Sequence, residues 1–410
     1  MDFSLNEEQR AWQMKARKFA DEEIRPISLQ REQIADPFEA WDWEIIKKGS
    51  KLGFRTLAAP KEWGGHGADF VSQALVMEEL AKADSAISKA FSQNWKWSHL
   101  IARSCSDEQK NRFLPQFIAD DTFVLGKGIT EPNAGSDNRM PPEDDPKSGL
   151  RLRAERHGDE WILNGEKCFI ANASVGKLFF IDARSNPNVG IRDGTTMFLV
   201  PKDTPGFRIG KVFNKSGWRF YQNAEMIFEN ARVPHANVIG EPAGDTKHDK
   251  GERTGGDLFG DLELAANALG VCEAACDASM QHAKTCMQGG KPLFTQQRIQ
   301  LKLGRMHMLT EALRSYVMRV AWEHDQKMHS PNAGLLVNYS TDVIQEVTRL
   351  NIDVHGSAGG MMDASADKLA RDAIVWSHLA GDSVLRMKVV RRFANDGQAS
   401  RVPLEFCDTE

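Results

Sequence analysis

The sequence predicts an α+β protein in three parts: an N-terminal helical domain over 1–122, a middle β-domain over 123–240 and a C-terminal helical bundle over 241–410. Three observations predict it. Apolar residues follow helical spacing up to about residue 122, alternate with polar ones through a stretch punctuated by Gly, Pro and Asn, and return to helical spacing from about residue 257. At 410 residues the chain is too long for one hydrophobic core. Its composition, 41% hydrophobic and 27% charged, is that of an ordinary globular protein.

The opening SLNEEQRAWQMKARKFADEEI pairs Ser4 with Glu7 in a capping-box pattern ahead of Leu5, Trp12, Ala16, Phe19 and Ile24, and Pro26 is expected to end this helix. Helical patterns follow in AWDWEIIKKGSKLG, VSQALVMEELAKAD, around NWKWSHLIARSC and in SDEQKNRFLPQFIAD. The period then becomes two. LRLRAERHGDEWILNGEKCFI alternates around two hairpin signals, His157-Gly158-Asp159 and Asn164-Gly165, and KLFFIDAR, TTMFLVPK, FRIGKVF and AEMIFENARV continue as short strands. Four helical patterns close the chain: 257–283, 297–326, 340–354 and one near RDAIVWSHLAGDSVLRMKVVRRFA. The polar stretches 138–149 and 241–256 are read as surface loops.

A formal net charge of -5 recommends neither nucleic acid nor an anionic membrane as partner. No run of about 18 apolar residues occurs, and the N-terminus has neither an apolar signal core nor a basic amphipathic presequence, so a cytoplasmic protein, or one already matured, is expected. Six scattered cysteines form no CxxC pair; Cys272 and Cys276 fall on the apolar stripe Leu258, Leu262, Ala265, Leu269, which places buried thiols there and no metal.

The motif ITEPNAGSD (129–137) offers hydroxyls, carboxylates and a Gly-containing turn between a strand and a loop. It is followed by LNGEKCFIANAS (163–174), GWRFYQNAEMIFENARVP (217–234) and HGSAGGMMDASADKLARDA (355–373). In that order, and across nearly the whole chain, these resemble the acyl-CoA dehydrogenase family. The resemblance implies an FAD flavoenzyme that removes the α proton of an acyl-CoA thioester while hydride leaves the β carbon for the flavin. Electrons would then pass to an electron-transfer flavoprotein. It implies a tetramer built on the C-terminal bundle. It places Thr130 on the flavin pyrimidine edge, Ser136 on the pyrophosphate and Phe169 at the family's aromatic position beside the ring. Lys127, Ile129, Ile170 and Ala171 complete the cofactor positions. Ser136, Asp257 and Gly381 take the substrate side.

The chemistry needs a carboxylate base opposite the flavin and hydrogen bonds to the thioester carbonyl. Here the sequence departs from the family. Nine residues on from Arg371, where the usual Glu is expected, stands Ala380, which keeps only its backbone N–H for the carbonyl. Ten residues before Gly270, the other position used in the family, stands Gly260. The adjacent Asp261 is the leading candidate base, since desolvation against an acyl chain raises a carboxylate pKa towards neutrality. An exposed Asp favoured by the helix dipole is the alternative. Asp257, Glu263 and Asp382 rank behind it. Ala171 replaces the hydroxyl residue usually near flavin N5. Cys286, Gln288, Gly289 and Asp353 stand where a neighbouring subunit's adenine contacts are expected, with Asp353 adverse to a pyrophosphate. Two further readings stay open: a subunit completed by a paralogous chain in a heterotetramer, or a non-redox acyl-CoA enzyme such as a lyase. Trp95 and Trp97 lie where relatives shape the substrate cavity, though a core role suits them better.

Overall fold

The computed structural model describes residues 4–135, 137, 145–240, 242, 255–328, 333–377, 386, 387 and 390, without the side chains of 192, 255–261, 333 and 334. Most of the two polar loops expected at 138–149 and 241–256 lies outside the described residues. The order is helices, one sheet, helices, an α+β fold as the periodicity predicts. No helix of the described residues is long and apolar enough to cross a membrane.

The N-terminal helices are α1 (Glu7–Phe19), α2 (Arg25–Glu32), α3 (Trp43–Lys51), α4 (Phe70–Ala83), α5 (Ser85–Ser104) and α6 (Asp107–Ala119). Asn6, not Ser4, caps α1: its side chain accepts from Gln9 N–H, while the Gln9 side chain accepts from Asn6 N–H. Glu7 instead lies in the first turn, where its charge favours the helix N-terminus. Nor does Pro26 end the helix. One π turn, Ala20–Ile24, absorbs the break, and Pro26 then sits at the start of α2, where a missing N–H is tolerated.

The sheet has eight strands: β1 (Leu125–Gly128), β2 (Arg153–His157), β3 (Glu160–Ala171), β4 (Leu178–Arg184), β5 (Thr195–Pro201), β6 (Phe207–Val212), β7 (Asn223–Pro234) and β8 (Val238–Ile239), with one helical turn, α7 (Ile191–Gly194), before β5. Its order is β6-β7-β3-β2-β4-β5-β8, with β1 parallel to β4. His157-Gly158-Asp159 does turn the chain from β2 into β3. Asn164-Gly165 does not: β3 runs on through it, and the pairing with β7 skips a residue between Leu163 and Gly165. The conformational freedom that fits Asn-Gly to a hairpin also fits a bulge, and pairing with a strand some sixty residues away decides between them.

The C-terminal helices are α8 (Gly255–Thr285), α9 (Gln297–Asp325), α10 (Ala333–His355) and α11 (Ser365–Ile374), with a two-strand ribbon of β9 (Met287–Gln288) and β10 (Lys291–Pro292) between α8 and α9. Cys272 is fully buried on the apolar face of α8. α8 lies so close to α4 that a Cβ on Gly270 would stand 2.4 Å from the Glu78 carbonyl oxygen. α11 joins all three parts. Lys368 pairs with Asp372 (2.7 Å) and with Asp84 (3.2 Å), all three buried; Asp84 caps α5, and Asp372 accepts from Trp218 N–H at 2.7 Å. Gly217 permits that approach, since a Cβ there would lie 2.2 Å from the Arg371 carbonyl oxygen.

Candidate active site

The Thr130 turn is clamped by its own glutamate. Buried Glu131 accepts hydrogen bonds from the backbone N–H of Arg151 (2.6 Å) and Leu152 (3.0 Å) and from the Lys167 ammonium (2.7 Å). Lys167, fully buried, also donates to the Ile129 carbonyl at 3.1 Å. Burial holds its pKa below the usual lysine range, although Glu131 pulls the other way. Glu131 and Ala134 exchange main-chain hydrogen bonds, and Cys168 N–H donates to the Thr130 carbonyl at 2.9 Å. Asp137 accepts from Gly135 N–H (2.7 Å) and Gly149 N–H (3.1 Å). Both carboxylates of ITEPNAGSD are therefore spent on holding the turn. The Thr130 hydroxyl, half-buried, is left over, with no partner among the described residues. Ser136 lies outside the described residues.

Facing this turn, β3 bulges a second time between Lys167 and Ile170. Phe169 sits there in the left-handed region, φ 57°, with 59% of its surface exposed. For a bulky residue that conformation costs on the order of 1–3 kcal/mol, and such strain gathers at functional sites. Two contacts fix it. The Asn223 side-chain amide donates to the Phe169 carbonyl at 2.7 Å, and the ring packs on Phe213 with centroids 4.4 Å apart. Neither contact residue was anticipated from the sequence; a lone aromatic and a lone Asn at strand ends carry no local signal. Ile170 points into the β core, and the Lys127 ammonium is paired with Asp182 at 3.2 Å beneath Trp97, so those two positions offer backbone to a ligand. Ala171 packs against the helical core.

The helical side is built from α5, α8 and the loop before β7. Helix α8 includes positions 257, 260 and 261; position 261 is one turn ahead of the fully buried Ala265. The side chains of Asp257 and Asp261, together with Ala380, Gly381 and Asp382, lie outside the described residues. Glu263 is described, and it is committed: buried, it is ion-paired with Lys89 and accepts from the Ser92 hydroxyl. Trp95 and Trp97 are core residues, with Trp95 Nε1 donating to the Phe54 carbonyl at 2.7 Å. Asp353 is ion-paired with Arg349 (3.1 Å) and Lys302 (3.4 Å). Gln288 accepts from the Gln296 side chain at 3.1 Å.

The cradle suits a flat aromatic cofactor such as the isoalloxazine of FAD. Phe169 is largely exposed, and the Thr130 hydroxyl has no partner among the described residues. Among the described residues nothing comes within 4 Å of a Cβ added at Gly135, which leaves room for a ligand to approach the turn's backbone.

Comparison with known proteins agrees. Residues 6–121, 126–231 and 260–394 match the N-terminal, middle and C-terminal domain models of acyl-CoA dehydrogenase. The chain is similar to a probable acyl-CoA dehydrogenase of Bacillus subtilis, with 31% identity over 395 residues, 96% of this chain and 99% of that one. It is similar to the acryloyl-CoA reductase (NADH) of Anaerotignum propionicum, with 31% identity over 400 residues, 96% and 95% of the two chains. Among solved structures, butyryl-CoA dehydrogenase from Megasphaera elsdenii matches with a TM-score of 0.87 and 28% identity, over 96% of this chain and all of that one. The chain belongs to the acyl-CoA dehydrogenase family of FAD-dependent flavoenzymes.

Proposed function

We propose that the protein catalyses αβ-dehydrogenation of an acyl-CoA thioester, or the reverse reduction, with Asp261 as the base in place of the family's usual Glu. The observation that carries this reading is the pairing of the clamped Thr130 turn with the strained, exposed Phe169. Bound FAD supplies the hydride acceptor. The protein's part is to hold and orient. Thr130 and the backbone from Ile129 to Gly135 take one edge of the ring system, with Ser136 towards the pyrophosphate; Phe169 flanks the ring. The Ala380 N–H is assigned to the thioester carbonyl, with Asp257 and Gly381 on the same side. Asp261 takes the α proton.

Electrons leave to an electron-transfer flavoprotein, as the family resemblance implies. The expected tetramer is supported by α9, whose Leu301 and Met308, seven residues apart on one face, are 76% and 57% exposed in the single chain. The pairing of Asp353 with Arg349 and Lys302 favours identical subunits over a heterotetramer with a paralogue. Cys105, Cys168, Cys272, Cys276 and Cys286 are all unpaired, which fits the reducing cytoplasm.

The purified chain is expected to show a flavin absorption spectrum that bleaches on adding one or more of a panel of acyl-CoA thioesters. A folded but colourless chain, or a flavin that no thioester perturbs, overturns the reading. Thr130→Ala is expected to weaken flavin retention roughly two- to tenfold, the worth of one hydrogen bond from a neutral hydroxyl. Equilibrium dialysis of FAD checks it.

A further inference from the structure

The core between α5 and α8 holds a polar cluster that neither the cofactor cradle nor the assigned base uses. Lys89 of α5 is ion-paired with Glu263 of α8, and the Ser92 hydroxyl donates to the same carboxylate, all three buried. Desolvation of a buried ion pair commonly matches or exceeds its Coulomb gain, so stability alone does not account for it. Tyr221 lies in the same core, beside the start of α5: its ring stands edge-on to Trp218 at 5.6 Å, and Trp218 Nε1 donates to Ser85, one turn before Lys89, at 2.7 Å. It is 3% exposed, and its hydroxyl has no hydrogen-bond partner among the described residues. Leaving a buried hydroxyl unsatisfied costs about 1–3 kcal/mol, so a missing partner is implied. Burial and the Glu263 charge both hold the phenol protonated, which makes it a donor.

The cluster is linked to the cradle through the chain and the shared core. Asn223, two residues beyond Tyr221, holds the Phe169 carbonyl; Ala171 packs against the core that contains Tyr221 and Leu262; and Glu263 is two residues from Asp261. We propose that Lys89, Ser92, Glu263 and Tyr221 form the far wall of the acyl site and select acyl groups that carry an uncharged oxygen, a hydroxyl or carbonyl, beyond the β carbon. The Tyr221 hydroxyl donates to that oxygen. Lys89 and Glu263 already cancel, so a carboxylate on the acyl group brings an uncompensated charge near Glu263. A plain alkyl chain leaves the phenol unsatisfied.

This inference rests on the acyl-CoA reading, and one experiment separates the two. The FAD-loaded enzyme is assayed with acyl-CoA thioesters of matched length ending in a hydroxyl, a methyl or a carboxylate. The hydroxyl member is expected to exceed the methyl member in kcat/KM by about ten- to a hundredfold, less than a fully hydrogen-bonded site achieves because a single donor is involved. In Tyr221→Phe the ratio is expected to fall to near one. Preference of the wild-type enzyme for the methyl or carboxylate member overturns the inference and leaves the acyl-CoA reading standing, as does an unchanged ratio in a folded Tyr221→Phe. If no member is turned over or perturbs the flavin, both fall. The wild-type ratio decides the matter even if the variant does not fold.

Discussion

Asp261→Asn is expected to abolish exchange of the α proton of bound acyl-CoA with solvent while flavin content stays at the wild-type level. A positioned general base contributes about 10²- to 10⁴-fold, and an amide of the same shape accepts no proton, so exchange and flavin reduction should fall together by that factor. The proposed flavin contacts lie elsewhere, at the Thr130 turn and the β3 bulge. Two facts favour Asp261 over its neighbours. The positions where the sequence resemblance places the family's base are Ala380 and Gly260, which carry no acid. Glu263, the nearest described carboxylate on α8, is already engaged by Lys89 and Ser92. Exchange measured by deuterium uptake into the thioester decides it; persistence at the wild-type rate in the variant removes Asp261 from the mechanism.

Lys167→Met is expected to cost about 3–5 kcal/mol of stability and to release the flavin, because it strands the Glu131 carboxylate in the interior. The loss reaches the cofactor through the turn. Lys167 holds both Glu131 and the Ile129 carbonyl, and Ile129 and Thr130 are the residues assigned to the flavin edge. A second variant tests the cause. Glu131→Gln combined with Lys167→Met removes both charges and should recover part of the stability, since no lone ion remains buried. Urea unfolding and flavin absorbance measure the two effects; a single variant that keeps wild-type stability and a full complement of flavin would contradict the clamp.

What could be read without the structure was what is locally encoded. Helices α3 to α6 and α8 to α10 follow apolar spacing, and a helix requires only that its own residues agree. The misreadings arose where a distant partner decides. Asn164-Gly165 became a bulge because β7 pairs across it, and the ion pair of Asp353 with Lys302 of another helix was likewise invisible in the local sequence. At the site, Thr130 and Phe169 were legible as motif positions. Their supports were not: Lys167 lies 36 residues from Glu131, and Glu263 lies 174 residues from Lys89. Tyr221 occupies an unremarkable place in GWRFYQN, and only the fold shows that it is buried with its hydroxyl unpartnered among the described residues.

The Lys368 knot means that the tidy tripartite look of the sequence does not translate into three separable folding modules. A fragment lacking α11 would keep the Asp84 carboxylate in the interior without its cation and would lose the anchor on Trp218 N–H. The ionic debt of any such excision falls on the pieces left behind, so neither the helical head nor the sheet is suited to independent expression, and the polypeptide is best understood as a single cooperative unit.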